Sequence, residues 1–163
     1  MTSLQMVDFI YNHIEGEIPE SIAGLKQMVF FPPPIYNLST LMLLSITSNS
    51  FSGTIRPDIG TLLPNLQILY MGKNNFTGTI PLPYTLSNIS TLRDLDIPHN
   101  HFLGDIPLSF GKVHNLLSLG LHFNSLGNNS FGDLDFLGAL ANCTQLQYLN
   151  VRFNNLPVSC LSP

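Results

Sequence analysis

From Leu66 onward, apolar and polar positions fall in a fixed order. Leu66, Leu69, Met71, Phe76 and Ile80 are apolar, with Asn74, Gly78 and Pro81 at set places between and after them. The same offsets return at Leu92, Leu95, Ile97, Asn100, Phe102, Gly104, Ile106 and Pro107. They appear earlier from Leu4, through Val7, Phe9, Asn12, Ile14, Gly16, Ile18 and Pro19. Leu41 opens another copy, through Leu44, Ile46, Asn49, Phe51, Gly53 and Ile55. Leu116 to Leu126 and Leu146 to Leu156 keep its first half. The frame reads L-x-x-L-x-L-x-x-N-x-[LF]-x-G-x-I-P.

Each position in the frame has a physical reason. The L-x-L step alternates with period two, which predicts a short strand with one buried face. Asn12, Asn49, Asn74, Asn100, Asn124 and Asn154 stand where the chain must leave that strand. A carboxamide there can satisfy backbone groups inside the turn and build a structural ladder from coil to coil. The glycine admits a backbone conformation closed to other residues. The proline ends the following extended segment and starts the turn into the return arm. A single coil cannot bury its apolar side, but stacked coils share one continuous core.

The complete unit, with G-x-I-P in its second half, resembles the plant-specific class of leucine-rich repeat. The chain resembles the ectodomains of plant leucine-rich-repeat receptor-like kinases over nearly its whole length. The stretches IYNLSTL (35–41), LPNLQILYMGKNNFTGTIP (63–81) and DLDFLGALANCTQLQYLNV (133–151) resemble the immune-type subfamily. The resemblance implies an α/β leucine-rich-repeat solenoid. It is expected to be curved, with a parallel sheet on the concave face and loops and 3-10 turns on the convex face.

The expected organisation is a single domain of about six coils. These run over 4–27, 41–65, 66–91, 92–115, 116–145 and a partial 146–163, with a truncated coil at 28–40. Leu38 follows Leu25 after 13 residues, where a unit of about 24 is expected. A strand, an Asn and a Gly are missing between Met28 and Pro34. A true deletion and an error in the gene model both explain this. Pro32, Pro33 and Pro34 would make the joint stiff and extended. The joint leaves Asp8 and Tyr11 either on the common surface of the later coils or off it. Two further irregularities are about two extra residues near Pro81–Pro83 and a loop inserted at 127–133. The tail LPVSCLSP abandons the frame. The family's capping cysteine pairs, membrane-spanning helix and kinase domain are absent from this sequence, so an internal piece of a receptor or a truncated gene product is expected.

Composition narrows the function classes. Only 10% of the 163 residues are charged, against the usual quarter or so. The net charge is -4 with no basic block, which argues against nucleic acid and anionic membrane as partners. Residues 1–10, MTSLQMVDFI, lack a basic segment followed by an apolar one, so no signal peptide is expected in this chain. No apolar run reaches 18 residues, so no membrane-spanning segment or anchor is expected either.

The frame also says which side chains share the concave face. Leucines of each strand point inward and the intervening residues outward, with equivalent positions about 4.8 Å apart in successive coils. Column five is Asp8, Ser45, Tyr70, Asp96, Gly120 and Asn150. Column seven is Ile10, Thr47, Gly72, Pro98, His122 and Arg152. Column eight is Tyr11, Ser48, Lys73, His99, Phe123 and Phe153. The candidate ligand-binding residues are therefore Tyr70, Lys73, Asp96, His99, His122, Phe123, Asn150, Arg152 and Phe153. Aromatics beside charges are the usual makeup of a protein-binding hot spot.

Other chemistry is less well supported. Asp94, Asp96, His99, His101 and His122 are metal-ligand types, but the frame turns His101 away from the rest and zinc needs three or four converging ligands. No metal or cofactor is expected. No G-x-S-x-G, H-R-D or D-F-G motif is present, and a shallow solenoid face offers no catalytic pocket. Asn37, Asn75, Asn88, Asn128 and Asn142 begin N-x-[ST] sequons, as suits a glycosylated ectodomain. Two cysteines in different repeats, Cys143 and Cys160, make no disulfide framework; Cys143 is expected to be buried on the convex side.

These readings converge on a non-enzymatic segment of a receptor-like serine/threonine kinase, outside the plasma membrane. It would recognise a peptide or protein ligand in signalling or defence, with a leucine-rich-repeat co-receptor as a further partner. The alternatives are a soluble leucine-rich-repeat inhibitor or decoy, or a nonfunctional truncated product.

Overall fold

A computed structural model describes residues 4–14, 39–81 and 91–157. The joint at 28–34, Asn37, Asn88 and Cys160 lie outside the described residues. Six three-residue strands form one parallel sheet: β1 (Met6–Asp8), β2 (Leu43–Ser45), β4 (Ile68–Tyr70), β6 (Asp94–Asp96), β8 (Ser118–Gly120) and β10 (Tyr148–Asn150). The register follows the repeat: Val7 pairs with Leu44, Leu44 with Leu69, Leu69 with Leu95, Leu95 with Leu119 and Leu119 with Leu149. From Leu44 to Leu119 these central leucines are fully buried.

The first coil stacks directly on the coil from Leu41. The amide of Phe9 donates to the Ser45 carbonyl at 2.8 Å and that of Tyr11 to the Thr47 carbonyl at 3.1 Å. Thr40 Oγ1 donates to the Leu4 carbonyl at 2.8 Å. Asp8 and Tyr11 therefore belong to the common surface, which resolves what the irregular joint left open.

A second parallel sheet runs along the stack. It contains β3 (Ser52–Gly53), β5 (Asn75–Thr79), β7 (His101–Gly104) and β9 (Ser125–Leu126), in that order. These are the [LF]-x-G segments of the frame, predicted only as extended chain. Phe51, Phe76, Phe102 and Leu126 point from them into the core. Phe76 and Phe102 lie parallel, with ring centroids 6.3 Å apart. Gly78 shows why the frame needs glycine here. Its φ is +77°, and an added β-carbon would lie 2.8 Å from Thr54 Cγ2.

The return arms also differ from expectation. They include 3-10 turns at Leu108–Lys112 and Phe131–Leu134, but also short α-helices, α1 (Ile59–Leu62) and α2 (Asp135–Leu140). The inserted loop is capped by Ser130 and Asp133, with Asp133 buried. Its carboxylate accepts the Asn128 and Ser130 amides, both at 2.9 Å, and the Ser130 hydroxyl at 3.1 Å. Burial raises this carboxyl, but these bonds outweigh burial and hold it below the ordinary range.

At the two ends of the described stack the core thins. Phe9 occupies a frame position that is buried in Ile46, Met71 and Ile97, yet it is 40% exposed. Leu149 is 36% exposed. Each lacks a described neighbouring coil on its outer side. No helix among the described residues is long and apolar enough to cross a membrane.

Candidate functional site

The turn after each concave strand is built by the frame asparagine. Asn74 Nδ2 donates to its own Met71 and Gly72 carbonyls, both at 3.1 Å, and to the Ile46 carbonyl of the preceding coil at 2.9 Å. Its Oδ1 accepts the Phe51 amide, also in the preceding coil, at 3.0 Å. Asn49, Asn100, Asn124 and Asn154 repeat the arrangement: each reaches its own turn and the coil before it. Among the described residues Asn12, in the first coil, bonds to its own Phe9 and Ile10 carbonyls alone.

The residue before each of these asparagines is left-handed. Tyr11, Ser48, Lys73, His99, Phe123 and Phe153 have φ between 51° and 59°. For a residue with a side chain this conformation costs about 1–2 kcal/mol. It is held because the next residue is clamped by its carboxamide, and because column-eight amides donate onward. Lys73 donates to the Pro98 carbonyl at 2.8 Å, His99 to that of His122 and Phe123 to that of Arg152, both at 3.1 Å.

These left-handed positions gather the rings of the later coils. His99 stacks on Phe123 with centroids 4.2 Å apart, and Phe123 on Phe153 at 4.3 Å. His122, one column in, meets both His99 and Phe123 edge-on at 5.8 Å. The Arg152 guanidinium lies 5.8 Å from the Phe123 ring and 5.7 Å from that of Phe153, within cation–π range. Burial, then the Arg152 charge and His99, push the His122 imidazole below its usual range. Its Nδ1 is buried and meets no hydrogen-bond partner among the described residues.

A second group lies on the strands. Tyr70 and Asp96 are both half-buried in column five. Tyr70 pairs with Asp96 on the adjacent strand, Asp94 lies two residues before it on the same side, and the Tyr70 phenol is raised by burial and then by the charges of Asp94 and Asp96. Burial raises the Asp96 carboxyl. Neither aspartate meets a cation or hydrogen-bond donor among the described residues.

Of the residues singled out from sequence, His99, His122, Phe123, Arg152 and Phe153 form one cluster, and Tyr70 and Asp96 belong to the other. Lys73 is exposed, in column eight of the coil before His99. Asn150 turns to its own strand, where Nδ2 donates to Tyr148 Oη at 3.0 Å and Oδ1 accepts the Arg152 amide at 3.3 Å. Asp94 and Tyr148 were missed as binding candidates. They occupy column three, on the same outward side as column five, and alternation alone would have found them.

The leucine-rich repeat family model matches residues 3–25, 65–85 and 91–113. Together with the register and the asparagine ladder, this decides the fold. The chain is a leucine-rich-repeat solenoid. A putative receptor-like protein kinase of Arabidopsis thaliana is 71% identical over 102 residues, covering 63% of this chain and 10% of the relative. The plant peptide hormone receptor RGFR1, in a complex with RGF2, superposes with a TM-score of 0.74 at 30% identity over 95% of this chain and 25% of that one. The Arabidopsis receptor kinase HAESA, in complex with the peptide hormone IDA and the co-receptor SERK1, gives a TM-score of 0.68 at 31% identity, covering 77% and 20%. The leucine-rich-repeat chain thus spans about a tenth of that curated relative.

Elsewhere on the leucine-rich-repeat chain, Asn75, Asn128 and Asn142 are exposed. Asn75 begins β5 and Asn128 lies in the inserted loop, so neither is on the concave sheet. Cys143 is buried on the return side, with Sγ 3.1 Å from the Phe110 carbonyl, and burial raises its thiol. Among the described residues no group of three or more His, Cys, Asp and Glu is placed to hold a metal ion. His101 lies on β7, in the second sheet.

Proposed function

We propose that this chain is part of the ligand-recognition solenoid of a plant receptor-like kinase, working on the extracellular side of the plasma membrane. It binds a peptide or protein segment on its concave face and contributes no catalytic group of its own. A second leucine-rich-repeat ectodomain, engaged as co-receptor, is the further partner, and defence signalling is the proposed setting. The observation that carries this reading is the concave ring cluster of His99, His122, Phe123 and Phe153 beside Arg152. Aromatic and arginine side chains held rigidly on one open face are the usual anchors of protein recognition. The likeness to receptors whose structures contain peptide hormones and a co-receptor supports the same reading. The N-x-[ST] sequons, with the described ones off the concave sheet, fit an extracellular protein whose binding face stays bare.

The test uses the secreted, glycosylated chain, immobilised and exposed to peptides from plant extracellular fluid. Mass spectrometry identifies what is retained. A triple variant, His99→Ala, Phe123→Ala and Arg152→Ala, is run in parallel. Peptides held by the parent chain and lost by the variant support the reading. Equal retention by both would sink it.

A further inference from the structure

The concave face is divided by charge, and the division restricts the kind of ligand it accepts. Columns three and five carry Asp94 and Asp96, separated by about 6.6 Å along one strand. Both carboxylates lack a partner among the described residues, and both act on Tyr70. On the next strand Gly120 presents no side chain, and a β-carbon there would overlap Asp96 Oδ1. The Asp96 carboxylate thus lies over Gly120, in the space a side chain there would take, and no side chain on that strand position covers it. Columns seven and eight carry the opposite sign, Lys73 and Arg152, together with the stacked rings. The rings occupy one another's faces, so their exposed edges are what an incoming group meets. An aromatic side chain is suited to that surface, because ring pairs favour edge-to-face contact.

We propose that this face selects an extended peptide segment carrying a cationic side chain about three residues from an aromatic one. The cation lies against Asp94 and Asp96, and the aromatic ring lies along the His99–Phe123–Phe153 stack. The spacing follows from the frame: three residues separate column five, at the end of the strand, from column eight, in the turn after it, a span of no more than about 10 Å that three residues of an extended peptide cover. Charge fixes the direction. Arg152 and Lys73 repel a cation from the ring side, and the two aspartates attract it on the strand side, so the reversed docking places like charges together. Arginine is the better cation here, because its planar fork can reach two carboxylate oxygens at once. This inference rests on the peptide-binding reading above and specifies the ligand for that same site.

The test is an array of nine-residue acetylated peptide amides in which two positions vary independently, probed with the whole secreted chain. Retention is expected to rise about fivefold, the order of one partly exposed ion pair, when Arg or Lys stands three residues from Phe, Tyr or Trp. Asp94→Asn combined with Asp96→Asn should remove the preference for the cation and keep that for the ring. Phe123→Ala should do the reverse, with circular dichroism showing that both variants remain folded. Peptides retained without such a pair, or preferences unmoved in the variants, would overturn the inference and leave peptide binding standing. An array that retains nothing would remove both readings.

Discussion

Gly120 lies so close to Asp96 that a β-carbon on the glycine would overlap Asp96 Oδ1. The obstacle is the free end of a side chain, which can turn away. Gly120→Ala is therefore expected to leave the melting temperature within a few degrees of the parent, a change under about 1 kcal/mol. It should nevertheless weaken the preference for cationic peptides by displacing the carboxylate. A large fall in melting temperature would mean that Asp96 is fixed in place.

The asparagine ladder predicts an uneven mutational response. Asn100 is buried and its amide serves the Met71, Ile97 and Pro98 carbonyls while its oxygen accepts the Phe76 amide. Asn100→Ala strands these groups and should destabilise by about 3 kcal/mol. Asn12 is exposed and, among the described residues, bonds within its own coil only. Asn12→Ala should cost about 1 kcal/mol or less. Urea unfolding of the two variants compares them directly, and equal losses would contradict the ladder.

The left-handed column reverses the usual rule for glycine. Lys73 is exposed with φ of 54°. Lys73→Gly should stabilise by about 1 kcal/mol through relief of that conformation, offset in part by chain entropy. Lys73→Val should destabilise, because a β-branched residue tolerates this region least. Thermal melts that rank valine above glycine would contradict the assignment.

Asp96 should lower stability at neutral pH. Burial raises its folded carboxyl above the ordinary value of 3.8. A raised carboxyl means that the folded state holds its proton more tightly than the unfolded chain does. The penalty is absent below pH 3.8, grows as pH rises through the folded value, and is complete above it. Asp96→Asn is thus expected to raise the melting temperature at pH 7 and to lose that advantage at pH 3.5. An advantage equal at both pH values would place its origin elsewhere.

The concave strands were legible in the sequence because their signal is local. Leu95 between Asp94 and Asp96 announces a one-sided strand by alternation alone, and the repeat frame carries that reading to Leu69. The second sheet was not legible because its partners lie in other coils. Asn75–Thr79 has one inward phenylalanine and becomes a strand when Gly53 and His101 come alongside. Nor did the left-handed column have a signature. Ser48, Lys73 and Phe123 are not residues that favour positive φ; the carboxamide that follows each one imposes it. Column arithmetic brought His99, His122 and Phe123 to one face, but not the ring-on-ring contacts that depend on that backbone twist. Continuity across the irregular joint escaped for the opposite reason: the residues between are abnormal, while Asp8 and Ser45 at its two sides pair normally.

From Asn49 to Asn154 the frame asparagines reach in one direction, toward the coil before them, and this makes the described stack asymmetric under fraying. Peeling off the coil of Asn154 leaves the Leu126 amide without its acceptor, so damage passes to the coil left behind, while the Leu121 carbonyl keeps its bond from Asn124 Nδ2. Loss of the first coil takes one acceptor, the Phe9 carbonyl, and one donor, the Ile14 amide, from Asn49, but its bonds to its own Ile46 and Thr47 carbonyls survive. The two ends of this solenoid are therefore not equivalent, and a cap at the carboxyl end protects more of the molecule than one at the amino end.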